Sequence, residues 1–150
     1  SRRQRQMCIR DRCEEDQDNT EGSERVMENR YLCRGKRIDN GEWVEGCYVL
    51  IDNHCYIYTG SLCNGGLYVV AERFEIQIDT LCQCTGYEGI YENDIFRYED
   101  EDFVIKWSDD SLSWEAVSIF TAESVSLAEF NPDYIDVIGN EVDNPELLEV

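Results

Sequence analysis

The stretch EWVEGCYVLIDNHCYIYT, residues 42–59, decides the fold. Residues 42–51 are apolar on both faces of an extended strand, which suits a strand that is covered on both sides or that closes a barrel. Asp52 and Asn53 tolerate the positive φ angles that a two-residue hairpin turn requires. We therefore expect residues 54–59 to return as the antiparallel partner of the first strand.

The same two-residue period recurs in four later segments: FEIQI (74–78), DIFRY (94–98), FVIKW (103–107) and WEAVSIFT (114–121). We expect an inward face made of Phe74, Ile76 and Ile78 in the first of these segments, and of Phe103, Ile105 and Trp107 in the third. Short strands separated by Gly, Asn and Asp are typical of a barrel or a sandwich.

Helical signals are weak and lie near the C-terminus. ESVSLAEF, residues 123–130, fits a short helix slightly better than another strand by its spacing. In DNPELLEV, residues 143–150, Asn144 is expected to cap a helical turn that Pro145 begins. The pattern predicts a mainly β fold, an antiparallel small barrel or sandwich built from hairpins, with one or two short helical turns near the C-terminus.

The chain is strongly acidic for its length of 150 residues, with 33 acidic and 13 basic residues and a net charge of −20. This charge repels phosphate backbones and anionic lipids, so we expect no direct nucleic-acid binding and no membrane partner. The sequence has no apolar run long enough to cross a bilayer and no pattern of a secretion signal. A cytoplasmic location is the expectation.

The first 26 residues differ from the rest in composition. SRRQRQMCIRDR, residues 1–12, holds five arginines and resembles translated sequencing adapter, and the polar stretch that follows has no periodicity. We interpret residues 1–26 as a disordered leader that is not native, with Met27 as the native start. Residues 27–150 are then a single β domain, and their net charge is −19.

Eight cysteines raise the question of a metal site. The only close pair, Cys82 and Cys84, is separated by one residue, and the chain has a single histidine. A tetrahedral zinc site requires four converging ligands, usually with wider pair spacing. We expect buried thiols that pack as small apolar side chains, no metal and no cofactor, and keep Cys82 and Cys84 as weak metal candidates.

A catalytic site is hard to find in this sequence. His54 and Cys55 are adjacent in a strand, so their side chains point to opposite faces and do not form a nucleophile and base. The acidic run at 99–102 with Lys106 invites comparison with metal-dependent nucleases, but its spacing fits a charged hairpin loop better. We expect that the protein is not an enzyme.

Three blocks resemble the YopX family of phage and prophage proteins: CRGKRIDNGEWVEG (33–46), TGYEGIYENDI (85–95) and VIGNEVDNPELL (137–148). The resemblance implies a mostly β fold, a phage or prophage origin and no established catalytic residue. Within it, Cys82 stands for a glycine, Cys84 for a tyrosine and Asn93 for a glycine, and Asn is the side chain that best tolerates a left-handed position.

The blocks also supply the candidate residues. The basic trio Arg34, Lys36 and Arg37 is the candidate interaction site, with solvated strand charges as the alternative. Expected turn and core positions are Asn40, Gly41, Trp43, Gly86, Tyr91, Asp94, Gly139, Asn140, Asn144 and Pro145.

Two functions follow as hypotheses. The first is a non-enzymatic accessory protein that self-associates, through strand edges and aromatic residues such as Tyr56 and Tyr58, or contacts another phage or host protein. The alternative is an acidic decoy that imitates DNA and occupies a host nucleic-acid-handling protein. A metal-dependent enzyme or a thiol metal site comes third.

Overall fold

The computed structural model describes residues 31–62 and 68–149, with side chains described for 31–60 and 72–149. The predicted leader and the expected start at Met27 lie outside the described residues. The chain divides into two compact units, Leu32–Leu81 and Cys82–Val150. The single domain expected over residues 27–150 stays a prediction, because two compact units can still unfold together.

The first unit is a meander of four antiparallel strands. They are β1 (Cys33–Lys36), β2 (Trp43–Ile51), β3 (His54–Leu62) and β4 (Tyr68–Ile76), followed by a 3-10 turn at Ile78–Thr80. The strands run in the order β4-β3-β2-β1. The predicted turn at Asp52 and Asn53 is confirmed, since both have positive φ (49° and 68°) and Ile51 pairs with His54.

This sheet coils until the end of β1 meets the end of β4. The amide of Ile38 donates to the Glu75 carbonyl at 3.0 Å, and the Gln77 amide donates to the Lys36 carbonyl at 2.8 Å. The enclosed core holds Cys55, Ile57 and Ile76, with Val44, Phe74 and Leu81 against it. Residues 47–51 of β2 are exposed, so of the two alternatives for this strand, cover on both sides is wrong along its whole length, whereas the coiled sheet agrees with a strand that closes a barrel.

The second unit contains the remaining strands. They are β5 (Cys82–Gln83), β6 (Asp94–Tyr98), β7 (Glu101–Ser108), β8 (Ser113–Ser118), β9 (Ser124–Ser126) and β10 (Asp136–Asn140). Five of them form an antiparallel sheet in the order β10-β6-β7-β8-β9. Short 3-10 turns occur at Leu127–Glu129, Pro132–Tyr134 and Pro145–Leu148.

One face of this second sheet carries the core. Phe130 meets the rings of Phe96 and Phe103 edge-on at 5.3 and 5.2 Å, a favourable aromatic geometry. Ile105 and Ala116 are fully buried beside them. The prediction of a mainly β, antiparallel, hairpin-built fold with short helical turns near the C-terminus is confirmed.

Four local expectations are wrong. Ile78 begins the 3-10 turn after β4 and is 54% exposed instead of facing inward. Trp107 lies at the end of β7, where it is 45% exposed and stacks edge-on against Trp114. Residues 123–130 do not form one helix, because they divide between β9 and a 3-10 turn; likewise β8 ends at Ser118, short of the predicted 121.

Candidate interaction surfaces

The basic trio does not form one patch. The Arg34 guanidinium lies 4.7 Å from the centre of the Trp43 ring, and the Lys36 ammonium lies 5.4 Å from the same centre. Arg37 instead covers Phe74 at 4.2 Å. Trp43 is half-buried, and its ring lies beneath two cations. The prediction that Trp43 belongs to the core is therefore wrong.

Arg37 is held by a neighbouring carboxylate. It donates to both oxygens of Asp39, at 2.8 and 2.5 Å. This hydrogen-bonded pair raises the pKa of Arg37 and lowers the pKa of Asp39 from its ordinary value. The loop from Arg37 to Glu42 is closed by the bond from the Arg37 amide to the Glu42 carbonyl at 2.9 Å, and Gly41 within it has a φ of 72°. The turn expected at Asn40 and Gly41 is thus present in this wider loop.

The tyrosines expected at an interface carry a second cation. The Arg73 guanidinium lies 4.8 Å from the centre of the Tyr56 ring and donates a hydrogen bond to Tyr58, which is the main reason why the pKa of Arg73 is raised. Tyr56 and Tyr58 are both half-buried. Arg73 therefore contacts both tyrosines.

The middle block builds a hydrogen-bonded turn around Asn93. The Asp94 carboxylate, which is buried, accepts from the Tyr91 amide at 2.8 Å. Asn93 has a φ of 69°, which confirms its left-handed position. Its side chain donates to the Cys82 sulfur at 3.6 Å and accepts from Lys106 at 2.8 Å.

The remaining residues of this block complete its geometry. Tyr91 is buried, and Gly86 has a φ of 106° in a loop closed by the bond from the Thr85 amide to the Ile90 carbonyl. Lys106 also forms an ion pair with Glu141. The lysine that a nuclease site would require is therefore already paired with a different carboxylate. The carboxylates of residues 99–102 and Lys106 therefore do not form one site.

The C-terminal block folds around Asn144. Its side-chain oxygen accepts from the Asn140 amide at 3.2 Å. Asn144 takes the N-cap position of the 3-10 turn that Pro145 begins, as predicted, but its side chain makes no capping bond to that turn. A side-chain carbon at Gly139 would lie 2.6 Å from that same oxygen. A glycine at 139 is what lets Asn144 approach the strand.

Cysteine burial follows the prediction at four described positions and fails at one. Cys33, Cys55, Cys82 and Cys84 are buried, whereas Cys47 on β2 is exposed. Cys84 donates to the Tyr87 carbonyl at 3.4 Å. Across residues 31–62 and 68–149, no group of three His, Cys, Asp or Glu side chains is arranged to hold a metal ion. Cys8, Cys13 and Cys63 lie outside the described residues.

His54 and Cys55 are placed as a strand dictates. His54 is exposed, and its Nδ1 lies 2.5 Å from Glu75 Oε1. Cys55 points into the core, where desolvation raises the pKa of its thiol. A raised thiol pKa is the opposite of what an activated nucleophile needs.

The end of the β2–β3 hairpin is an apolar surface that the sequence pattern did not predict. We call residues 47–51 the hairpin end. Tyr48 and Leu50 lie on the core side of β2, and Val49 and Ile51 lie on the other side, yet each is 39–55% exposed. The hairpin end therefore leaves apolar side chains in water on both faces of β2.

The negative charge is unevenly divided between the units. Residues 32–81 hold seven acidic and four basic residues, a net of −3. Residues 82–150 hold eighteen acidic and two basic residues, a net of −16. Both of those basic residues are engaged, Arg97 with Asp102 and Lys106 with Glu141. The second unit is thus the source of nearly all the acidity.

Comparisons with known proteins agree with the three blocks. The family model described as YopX protein matches residues 14–149. The match begins upstream of Met27, so it includes part of the stretch interpreted as a leader. No curated protein and no solved structure matches the chain. In the described part of the chain, no helix is long and apolar enough to cross a membrane. A match over nearly the whole chain is decisive for classification, and the protein belongs to the YopX family.

Proposed function

We propose that the protein is a non-enzymatic accessory protein of a bacteriophage or prophage, which acts in the host cytoplasm through self-association. The hairpin end carries this proposal, because its apolar side chains are exposed on both faces of β2. Burial of such a strand end against another chain removes apolar surface from water, which drives association.

A second copy of the chain is the partner that the charges favour. Two chains of net charge −20 repel each other, so they approach most easily where carboxylates are few. The hairpin end lies in the unit of net charge −3, and Asp52 is the only acidic residue between Cys47 and Tyr58. An apolar patch that meets its own copy about a two-fold axis forms a closed dimer.

Analytical ultracentrifugation of the full chain tests this function. We expect a species heavier than the 17.5 kDa chain, and we expect it to survive high salt because apolar burial drives it. The double variant Leu50→Thr/Ile51→Thr replaces both side chains by threonine, which is a good strand former but has less apolar surface. The dimer of this variant should therefore dissociate at least about tenfold more readily.

The matched control is Ile38→Thr, which removes an apolar side chain of similar exposure, 54%, from the β1–β2 loop. It should leave the association unchanged. A wild-type chain that remains monomeric at about 100 μM, or a double variant that associates like the wild type, would contradict the proposal.

The charge division favours a second candidate function, an acidic decoy. A unit with a net charge of −16 and both of its cations engaged offers carboxylates to a basic partner, as a DNA backbone offers phosphates. We propose, as the alternative, that this unit occupies a host nucleic-acid-handling protein.

A pull-down from bacterial lysate with the full chain tests the decoy. Support requires three results together: capture of a nucleic-acid-binding protein, its release by high salt, and its displacement by added DNA. Capture that survives high salt, or capture of proteins that do not bind nucleic acid, counts against this function and in favour of apolar contacts.

A further inference from the structure

The second unit contains a groove lined by apolar side chains and by carboxylates, which we call the acidic groove; its carboxylates are the rim. Its lining comes from three segments: the turn at 99–102, the loop at 119–121 that follows β8, and the C-terminal residues Leu147 and Glu149. The space between them is about 610 Å³. Ile119, Phe120 and Leu147 supply the apolar surface.

The rim carboxylates are only partly satisfied inside the chain. Asp102 accepts two hydrogen bonds from Arg97, at 2.7 and 3.0 Å, and Glu101 accepts one from the Ser118 hydroxyl at 2.5 Å. Among the described residues, no side chain forms a hydrogen bond or ion pair with Glu99, Asp100 or Glu149. Three carboxylates therefore remain for a partner to neutralise.

Phe120 is held out of the core by an ordered turn. The Thr121 amide donates to the Ser118 hydroxyl at 3.2 Å, and the Ala122 amide donates to the Ser118 carbonyl at 2.8 Å. As a result, Phe120 is 80% exposed. A large aromatic ring fixed in water beside a groove contributes little to folding, whereas such rings are frequent anchors in protein interfaces.

We propose that the acidic groove binds a basic protein segment in which an apolar side chain is flanked by arginines or lysines. The cations meet Glu99, Asp100 and Glu149, and the apolar side chain packs on Phe120. Charge complementarity selects this occupant, because the rim repels acidic and nucleic-acid partners. A guanidinium can also stack on the Phe120 face. The inference rests on the decoy function and locates its contact.

Fluorescence anisotropy with two labelled peptides, Arg-Arg-Leu-Arg-Arg and Arg-Arg-Gly-Arg-Arg, tests the groove on the full chain. The wild type should bind the leucine peptide more tightly. Glu99→Gln/Asp100→Asn should weaken binding of both peptides about fivefold at about 50 mM salt, since two charges near the ligand are lost. Phe120→Ser should abolish the preference for leucine.

The matched control is Asp109→Asn/Asp110→Asn, which removes the same charge from the β7–β8 turn, outside the groove. It should weaken binding by less than about twofold, as a general field effect does. Equal weakening by both double variants, no leucine preference in the wild type, or no peptide binding would overturn the groove.

These outcomes separate the groove from the decoy. If the lysate experiment captures a nucleic-acid-binding protein but the groove variants bind it normally, the decoy function stands and the groove is wrong. If the peptides bind in the groove but the lysate yields no such protein, the groove stands and the decoy function is wrong.

Discussion

Gly46 is the residue whose replacement should disturb the first unit most directly. The β2 backbone passes so close to β3 there that a side-chain carbon would overlap the carbonyl oxygen of Tyr58. A backbone oxygen in a paired strand cannot move aside as a flexible side chain can. Gly46→Ala should lower the free energy of unfolding by roughly 2 kcal/mol or more, measured by urea denaturation followed by tryptophan fluorescence.

Gly41 provides the comparison for this prediction. It has a φ of 72° but open space around it, and asparagine tolerates that conformation. Gly41→Asn should therefore cost less than about 0.5 kcal/mol. Equal losses for the two variants would mean that β2 and β3 can separate at Gly46 without cost.

Arg37 and Asp39 connect stability to pH. The hydrogen bond from Arg37 lowers the pKa of Asp39 below its ordinary value in the folded chain, so folding favours the carboxylate. The resulting stabilisation is present above the unfolded pKa and is lost as the pH falls through the lower, folded pKa. Arg37→Gln should raise the Asp39 pKa towards its ordinary value, as measured by carboxyl carbon NMR during an acid titration.

The matched variant for this titration is Arg97→Gln, which removes the cation paired with Asp102 in the other unit. It should leave the Asp39 titration unchanged. An Asp39 pKa that is equal in the wild type and in Arg37→Gln would show that the pair is not formed in solution.

At the scale of elements, the β6–β7 turn combines two unfavourable choices. Glu99 and Asp100 both have positive φ, 51° and 67°, which a two-residue hairpin turn requires and which Asn-Gly adopts most easily. Four acidic residues are also consecutive here. Glu99→Asn/Asp100→Gly should therefore raise the free energy of unfolding by about 1 kcal/mol, measured by urea denaturation.

The same variant should lose affinity for the arginine peptides, so that stability and binding change in opposite directions. Asn53→Gly, in the equivalent turn of the first unit, should give a smaller gain in stability and no change in peptide binding. A turn variant that is less stable than the wild type would show that Glu99 or Asp100 contributes to folding.

Hairpin turns were predictable because their chemistry is local. Asp52 with Asn53, and Asn93 alone, identify positive φ positions by residue type, and alternation locates the strands between them. Ile78 was predicted wrongly because a tertiary bond decides its place: the Lys36 carbonyl holds Gln77, which ends β4 before Ile78. The side chain of Asn144 forms no cap because a competing local bond from the Asn140 amide takes its oxygen.

Neither candidate surface could be read from the sequence. The hairpin end is apolar on both faces, and alternation alone gives the same pattern for a strand that the chain covers and one that it leaves exposed. The acidic groove joins residues from three segments, and only the acidic run at 99–102 stands out in the sequence as a candidate site. The alternation predicts a strand at Phe120, whereas the structure places this residue in the turn after β8.

At the scale of the whole molecule, the two units expose different kinds of surface, one apolar and one acidic. The first unit is nearly balanced in charge and presents the hairpin end. The second unit carries a net charge of −16 and presents the acidic groove. The proposed self-association through the first unit and the proposed capture of a basic partner by the second would use different residues, so a variant in one unit should leave the other activity intact.

This division predicts that removing carboxylates has opposite effects in the two units. In the second unit, Asp109→Asn/Asp110→Asn relieves repulsion among sixteen excess negative charges. In the first unit, Glu42→Gln/Glu45→Gln removes attraction to nearby cations, since Glu42 helps to raise the pKa of Arg37 and Glu45 pairs across the strands with Arg34.

At about 20 mM salt the Asp109/Asp110 double variant should raise the melting temperature by about 2–4 °C, and the Glu42/Glu45 double variant should not raise it. At about 0.5 M salt the difference should vanish, because the charges are screened over a few ångströms. Thermal unfolding followed by circular dichroism measures both; an equal gain from the two variants would mean that the chain responds to its total charge and not to its distribution.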